Sequence, residues 1–180
     1  QDLTIPSELI LMLEDNDQDG EADRKVVFAE GFNTEITGLA GSVLAHGDSV
    51  YTTIIPSLWQ LRDTDGDGTA DEREETVTGF GLHIGYGGHD MHGLTAGPDG
   101  RIYWSIGDKA FSVTDGEGGH HHFPYHGAVL RCEPDGSNFE VFAKGLRNPQ
   151  ELAFDEFGNL FVVDNDGDFG DGERFHYLLE

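Results

Sequence analysis

Apolar residues in this chain fall in short runs cut by turns rich in Asp and Gly. Leu94-Thr-Ala is followed by Gly97-Pro-Asp-Gly100 and then by Ile102-Tyr-Trp104; Leu152-Ala-Phe is followed by Asp155-Glu-Phe-Gly158 and then by Leu160-Phe-Val162. A weaker relative is Val43-Leu-Ala-His-Gly-Asp-Ser-Val-Tyr51. Each reads as strand, tight turn, strand, because Gly supplies the backbone conformation such turns need while aromatic and β-branched side chains suit a pleated surface. Few windows suit a helix. No run approaches the ~18 to 20 apolar residues of a membrane-spanning helix. The pattern predicts an all-β chain without membrane insertion.

The chain also repeats itself. Ile10 to Asp23 aligns without gaps to Leu58 to Asp71, with Leu13 on Leu61 and Asp15 on Asp63, an offset of 48 residues that persists from Gly31-Phe32 to Gly79-Phe80. The closing phrase Val27-Phe-Ala-Glu-Gly-Phe32 returns as Val141-Phe-Ala-Lys-Gly-Leu146. Short strands at a period near the ~40 to 50 residues of a four-stranded blade predict a β-propeller. At that spacing 180 residues hold about 3.75 units, whereas propellers close with roughly 4 to 8 blades. Residues 1–180 are therefore expected to form a partial propeller of about three blades, truncated at both ends. The final Arg174-Phe-His-Tyr-Leu-Leu-Glu180 reads as one more strand.

Charge narrows the function. Ten Lys and Arg against 35 Asp and Glu give a net charge of −25, which repels phosphate backbones and anionic headgroups and argues against nucleic acid or a membrane surface as partner. With 37% hydrophobic and 11% aromatic residues the chain can still form a core, so the acidity is not that of a disordered segment. Cys132 is the single cysteine, which excludes an internal disulfide framework and a Cys-rich zinc site; it reads as a small strand residue.

Part of the acidity has a pattern. Asp15, Asp17, Asp19 and Asp23, and again Asp63, Asp65, Asp67 and Asp71, occupy loop positions 1, 3, 5 and 9 with Gly20 and Gly68 at position 6. Alternate carboxylates can converge on one hard cation while the Gly permits the sharp turn, the arrangement of a calcium loop. Glu74 stands at position 12 of the second loop but Val26 at that of the first, and Val26-Val27-Phe28 favours a strand as the exit. Both loops are read as structural calcium sites between strands, the alternative being solvated hairpin tips. A third acidic stretch, Asp164 to Glu173, does not keep the spacing; a metal loop near a pocket and a soluble turn both fit it.

Histidines cluster at His83, His89 and His92 in a Gly-rich stretch, and again at His120, His121, His122 and His126. The first group could supply a general base, since imidazole titrates near neutrality, the alternative being loop or strand-edge histidines; the second reads as a surface loop, the alternative being a zinc site. Downstream lies Arg147-Asn148-Pro149-Gln150. These residues, in order, carry a resemblance: His89, Gly97-Pro98-Asp99, Ile102-Tyr103, Ile106-Gly107-Asp108, Val129-Leu130-Arg131, Pro134-Asp135-Gly136-Ser137 and Arg147-Asn148-Pro149-Gln150. Over residues 89 to 167 the chain resembles the soluble quinoprotein glucose/sorbosone dehydrogenase family, six-bladed propellers that bind pyrroloquinoline quinone (PQQ) and calcium. Its acidic loops look more like the propeller of large membrane-bound dehydrogenase-like proteins of planctomycete-type bacteria, where a haem-binding domain follows.

The resemblance implies roles. His89 matches the general base that removes the proton from a sugar hydroxyl while hydride passes to the quinone, and Asp108 the carboxylate that orients it. Arg147 and Asn148 match residues that hold the quinone, with Gln150 beside them and the Arg147 guanidinium stabilising the negative charge that develops on reduction, and backbone oxygens near Asp166 and Gly167 match the family's cofactor calcium site. The implied substrate is a sugar or alcohol, the implied electron acceptor a c-type cytochrome domain outside this chain, and the implied location periplasmic or extracellular. A rival reading is a non-catalytic, calcium-stabilised propeller that binds carbohydrate or a partner protein. Arg147 buried against a carboxylate would favour that rival; Arg147 and His89 converging on an open pocket would favour the enzyme.

Overall fold

A computed structural model of the chain describes residues 8–32, 34–81, 88–165, 170 and 172–179. All of its regular structure is strand, so no helix long and apolar enough to cross a membrane occurs among the described residues. β1 (Glu8–Glu14) and β2 (Arg24–Phe32) form a hairpin, and β3 (Ala40–His46), β4 (Ser49–Ile54), β5 (Ser57–Arg62) and β6 (Glu72–Thr78) a four-stranded antiparallel meander. The next sheet joins β7 (Met91–Ala96) and β8 (Ile102–Ile106); a side hairpin of β9 (Phe111–Thr114) and β10 (His120–Phe123) intervenes before β11 (Gly127–Cys132) and β12 (Glu140–Leu146) complete it. β13 (Pro149–Phe154), β14 (Leu160–Asp164) and β15 (Arg174–Leu178) make the last, three-stranded sheet. The fold is all-β, and the strands expected from the repeated phrases are present.

Three cores separate these four units. Phe28, Ala29 and Phe32 of the hairpin meet Ile54 and Leu61 of the first meander. Tyr51, Leu58 and Phe80 then meet Trp104, Leu130 and Phe139, and Tyr103 and Val129 meet Leu152, Leu160 and Val162. Because strand side chains alternate, one strand serves two cores. Ile102, Trp104 and Ile106 of β8 point to one side and Tyr103 to the other, which is why β8 and β11 are buried along their whole length. Trp104 is fully buried, edge-on to Phe80 at 5.7 Å, and burying such a side chain contributes roughly 1.5–3 kcal/mol. Cys132 sits in the same core, where burial pushes its thiol pKa up to about 12 and keeps it unreactive.

The repeated turn phrases share one geometry. In Gly97–Arg101, Asp115–Gly119, Glu133–Ser137 and Asp155–Asn159 the first N–H donates to the last carbonyl, and the fourth residue is a Gly with φ between +82° and +86°. Any other side chain there would be strained. The first strands of successive sheets also lie side by side, β3 against β7 and β7 against β13. Gly41 of β3 approaches the Met91 carbonyl of β7 so closely that no Cβ would fit.

Candidate functional site

The ends of these first strands hold the predicted residues. Met91 of β7 pairs with Ile106 of β8, so His89 and Asp108 lie two steps beyond that pair, at one rim. There His89 Nδ1 lies 2.7 Å from Asp108 Oδ1. The His89 side chain is 19% exposed and Asp108 40%. Gly107 makes the approach possible, since a Cβ on it would fall 2.7 Å from both the His89 Cβ and Asn148 Oδ1. A second link, Lys109 Nζ to Asp90 Oδ1, and Gly107 N–H donating to the Asp90 carbonyl at 3.2 Å tie the same two segments together.

The bend between β12 and β13 closes the other side. Asp108 N–H donates to the Arg147 carbonyl at 2.7 Å, which places Arg147 and Asn148 beside the His–Asp pair. Asn148 is buried and its Nδ2 donates to the Gly88 carbonyl at 3.2 Å, a carbonyl that also receives His92 Nε2 at 2.8 Å and lies 3.5 Å from Gln150 Nε2. The peptide just ahead of His89 is therefore pinned from three directions. Beneath the bend, the buried carboxylate of Asp164 accepts the N–H of Arg147 at 3.0 Å and of Asn148 at 2.7 Å. Arg147 is half-buried, and in the amide orientation that satisfies both ends of Asn165 its guanidinium donates to that side chain. Next to the bend a cavity of about 330 Å³ is lined by Gln150, Asp164, Asn165, Glu173, Arg174 and Phe175.

His89, Asp108, Arg147, Asn148 and Gln150 are thus brought together at one rim. Asp166, Gly167 and His83 lie outside the described residues. Three contributors were not singled out as site residues: Gly88 and Lys109, which have no sequence signature, and Asp164, which in the sequence merely opens an acidic stretch. The one signal for Asp164 is its position at the end of the apolar run Leu160 to Val163, where a strand turns inward.

The two acidic loops have closely related geometries, as their 48-residue repeat requires. Asp15 accepts the N–H groups of Gln18 and Gly20 at 2.7 and 3.0 Å; Asp63 accepts those of Gly66 and Gly68 at 2.7 and 2.8 Å. Asp23 and Asp71 each close their loop on the N–H of the second loop residue at 2.8 Å. Carboxylate oxygens of Asp15, Asp17 and Asp19 lie within 4.8 Å of one another, as do those of Asp63, Asp65 and Asp71. Asp19 and Asp67 each also accept a backbone N–H two residues on, at 2.8 and 2.7 Å. Strands and not helices follow both loops, and Glu74 lies in β6. Backbone donors, that of Gly68 first, hold the Asp63 carboxyl below its ordinary pKa, and Thr64 does so for Asp71.

One reading is corrected: His120, His121 and His122 form a strand, β10, paired with β9, and not a loop. Phe111 and Val113 of β9 are buried and anchor that pairing in the core.

Residues 1–180 match the model of a domain of unknown function, DUF7133, and the chain belongs to that family. No curated protein sequence matches it significantly. Among solved structures it is similar to a Trichoderma reesei enzyme of carbohydrate-active enzyme family AA12, with a TM-score of 0.64 and 14% identity over 98% of this chain. That likeness is one of fold. The chain spans about half of the enzyme's length, 52%.

Proposed function

We propose that this chain is part of a β-propeller and carries one side of a quinoprotein-type dehydrogenase site acting on a sugar or alcohol. The observation that carries the reading is the His89–Asp108 pair, 2.7 Å apart at the rim where two sheets meet. The side-by-side first strands β3, β7 and β13 support a radial arrangement of sheets, and the fold-level likeness to a carbohydrate-active enzyme supports the substrate class. Fold alone does not assign activity.

The chemistry follows from the tautomer. With Nδ1–H donated to Asp108, His89 Nε2 carries the lone pair and can take the proton of a substrate hydroxyl, while the carboxylate stabilises the imidazolium that forms. The chemistry of the donor set suits PQQ: Arg147, Asn148 Nδ2 and Gln150 Nε2 put hydrogen-bond donors on one bend, as an anionic quinone requires. When bound, PQQ would supply the two-electron acceptor. The resemblance implies a cofactor calcium near the backbone oxygens of Asp166 and Gly167, which lie outside the described residues. In the test, full-length protein is reconstituted with PQQ and calcium and dye reduction is followed with a panel of aldoses and alcohols. Turnover that depends on PQQ is the expected result. Absence of PQQ binding in protein that calcium stabilises against heat would leave the non-catalytic binding module.

The acidic loops are proposed to hold calcium structurally. Calcium is expected to raise the unfolding temperature at pH 7, and Asp63→Asn to reduce that rise. The loop carboxylates must be ionised to bind, and Asp63 and Asp71 have folded-state pKa values below the ordinary ~3.9. Their contribution is therefore present above that value and lost as pH falls through the lowered ones. An unfolding temperature indifferent to calcium at pH 7 would overturn the assignment.

A further inference from the structure

We propose that His120 and His122 form an open two-histidine site for a divalent transition metal ion, separate from the acidic loops in place and in ligand chemistry. Residues two apart on a strand share a face. On this hairpin the other face is committed to the core through Phe111 and Val113 and their partners Phe123 and His121. His121 is engaged by Asp115 Oδ2 at 2.9 Å and lies edge-on to Phe139 at 5.0 Å. His120 and His122 are left exposed on the outer face, opposite only the small Thr114 and Ser112.

Their rings are parallel to within 6°, with centroids 6.1 Å apart. Rotation of two exposed side chains with no bulky neighbour across the strand pair brings two ring nitrogens to the ~2.0–2.1 Å from one ion that zinc requires. His120 is already set for this. Its Nδ1 lies 3.3 Å from Thr114 Oγ1, the kind of outer partner that fixes the tautomer of a ligating histidine and leaves Nε2 for the metal. Two neutral imidazoles on a strand anchored in the core select borderline ions such as Zn²⁺ and Cu²⁺, with Cu²⁺ the tighter, and give nothing to the oxygen-seeking Ca²⁺. Water would fill the remaining positions, so the ion would stay open to an outside ligand.

The test is titration calorimetry of the full-length protein with ZnCl₂ and with CuCl₂, in excess calcium. The His120→Ala/His122→Ala double variant is expected to lose one equivalent of binding, and either single substitution to weaken it at least tenfold, while His126→Ala leaves it unchanged. Both side chains are exposed, so the metal-free unfolding temperature should not move. Electron paramagnetic resonance of wild-type protein with one equivalent of Cu²⁺ needs no variant and should count two coordinated imidazole nitrogens. Equal stoichiometry and affinity in wild type and double variant, or displacement of the ion by calcium, would overturn the site.

Discussion

His89→Ala is expected to lower kcat for PQQ-dependent dye reduction on the order of 10²- to 10⁴-fold, the usual contribution of a positioned general base. The unfolding temperature and the response to calcium should stay unchanged. Neither member of the pair holds the core together: His89 is one-fifth exposed and Asp108 two-fifths, and an ion pair open to that much solvent contributes about 0–1 kcal/mol to stability. Asp108→Asn separates geometry from charge. The asparagine can still accept the Nδ1–H, so the ring stays in place, but no carboxylate remains to stabilise the imidazolium. kcat should fall, by less than in His89→Ala, with KM little changed. If His89→Ala retained turnover within about threefold of wild type, with PQQ bound, the residue would be no more than a packed rim histidine and the proton would have to leave by another route.

The strands and turns were legible because their signals are local. A Gly in a five-residue turn, as at Gly100 and Gly158, reports a backbone conformation that few other residues accept, and the phrase around it repeats. The His89–Asp108 pair was legible only through the order of several weak phrases, since a separation of 19 positions in the chain carries no spacing rule. What escaped was non-local. Strand β10 is His120-His-His-Phe123, a composition with little strand preference and glycines just before it; it pairs because Phe111 and Val113 of β9 are held in the core formed with Phe80 and Trp104. The two-sided burial of β8 and β11 likewise depends on which sheets flank them. Repeat arithmetic was blurred by that same inserted hairpin, a two-stranded sheet of its own between β8 and β11 that adds no strand to the four-stranded sheet they share. Gly88 and Lys109 act through a backbone atom or a single partner, and such roles leave no mark in the sequence; Asp164, whose carboxylate holds two backbone N–H groups, is marked only by its place at the end of an apolar run.

Asp164→Ala should be the most damaging single change at the site's foundation. The carboxylate is only 2% exposed, and it accepts the N–H groups of Arg147 and Asn148. Truncation leaves two donors without an acceptor where water has little access, at roughly 1–3 kcal/mol each. A loss of about 2–5 kcal/mol is a large share of a typical folding free energy of ~5–15 kcal/mol and corresponds to a fall in unfolding temperature of roughly 5–15 °C for a domain of this size. Asp164→Asn retains one acceptor oxygen and should cost less than half as much. The functional consequence differs from that of His89→Ala. Releasing the bend moves Arg147 and Asn148, and with them the Asn148 amide that pins the Gly88 carbonyl ahead of His89. Asp164→Asn should therefore weaken PQQ binding at a temperature where the protein is still folded, whereas His89→Ala should leave the quinone bound and remove only the proton transfer. Thermal unfolding and PQQ titration on the same samples distinguish the two. An Asp164→Asn protein that binds PQQ as tightly as wild type would show that the bend keeps its shape without the buried carboxylate, and would confine the role of Asp164 to stability.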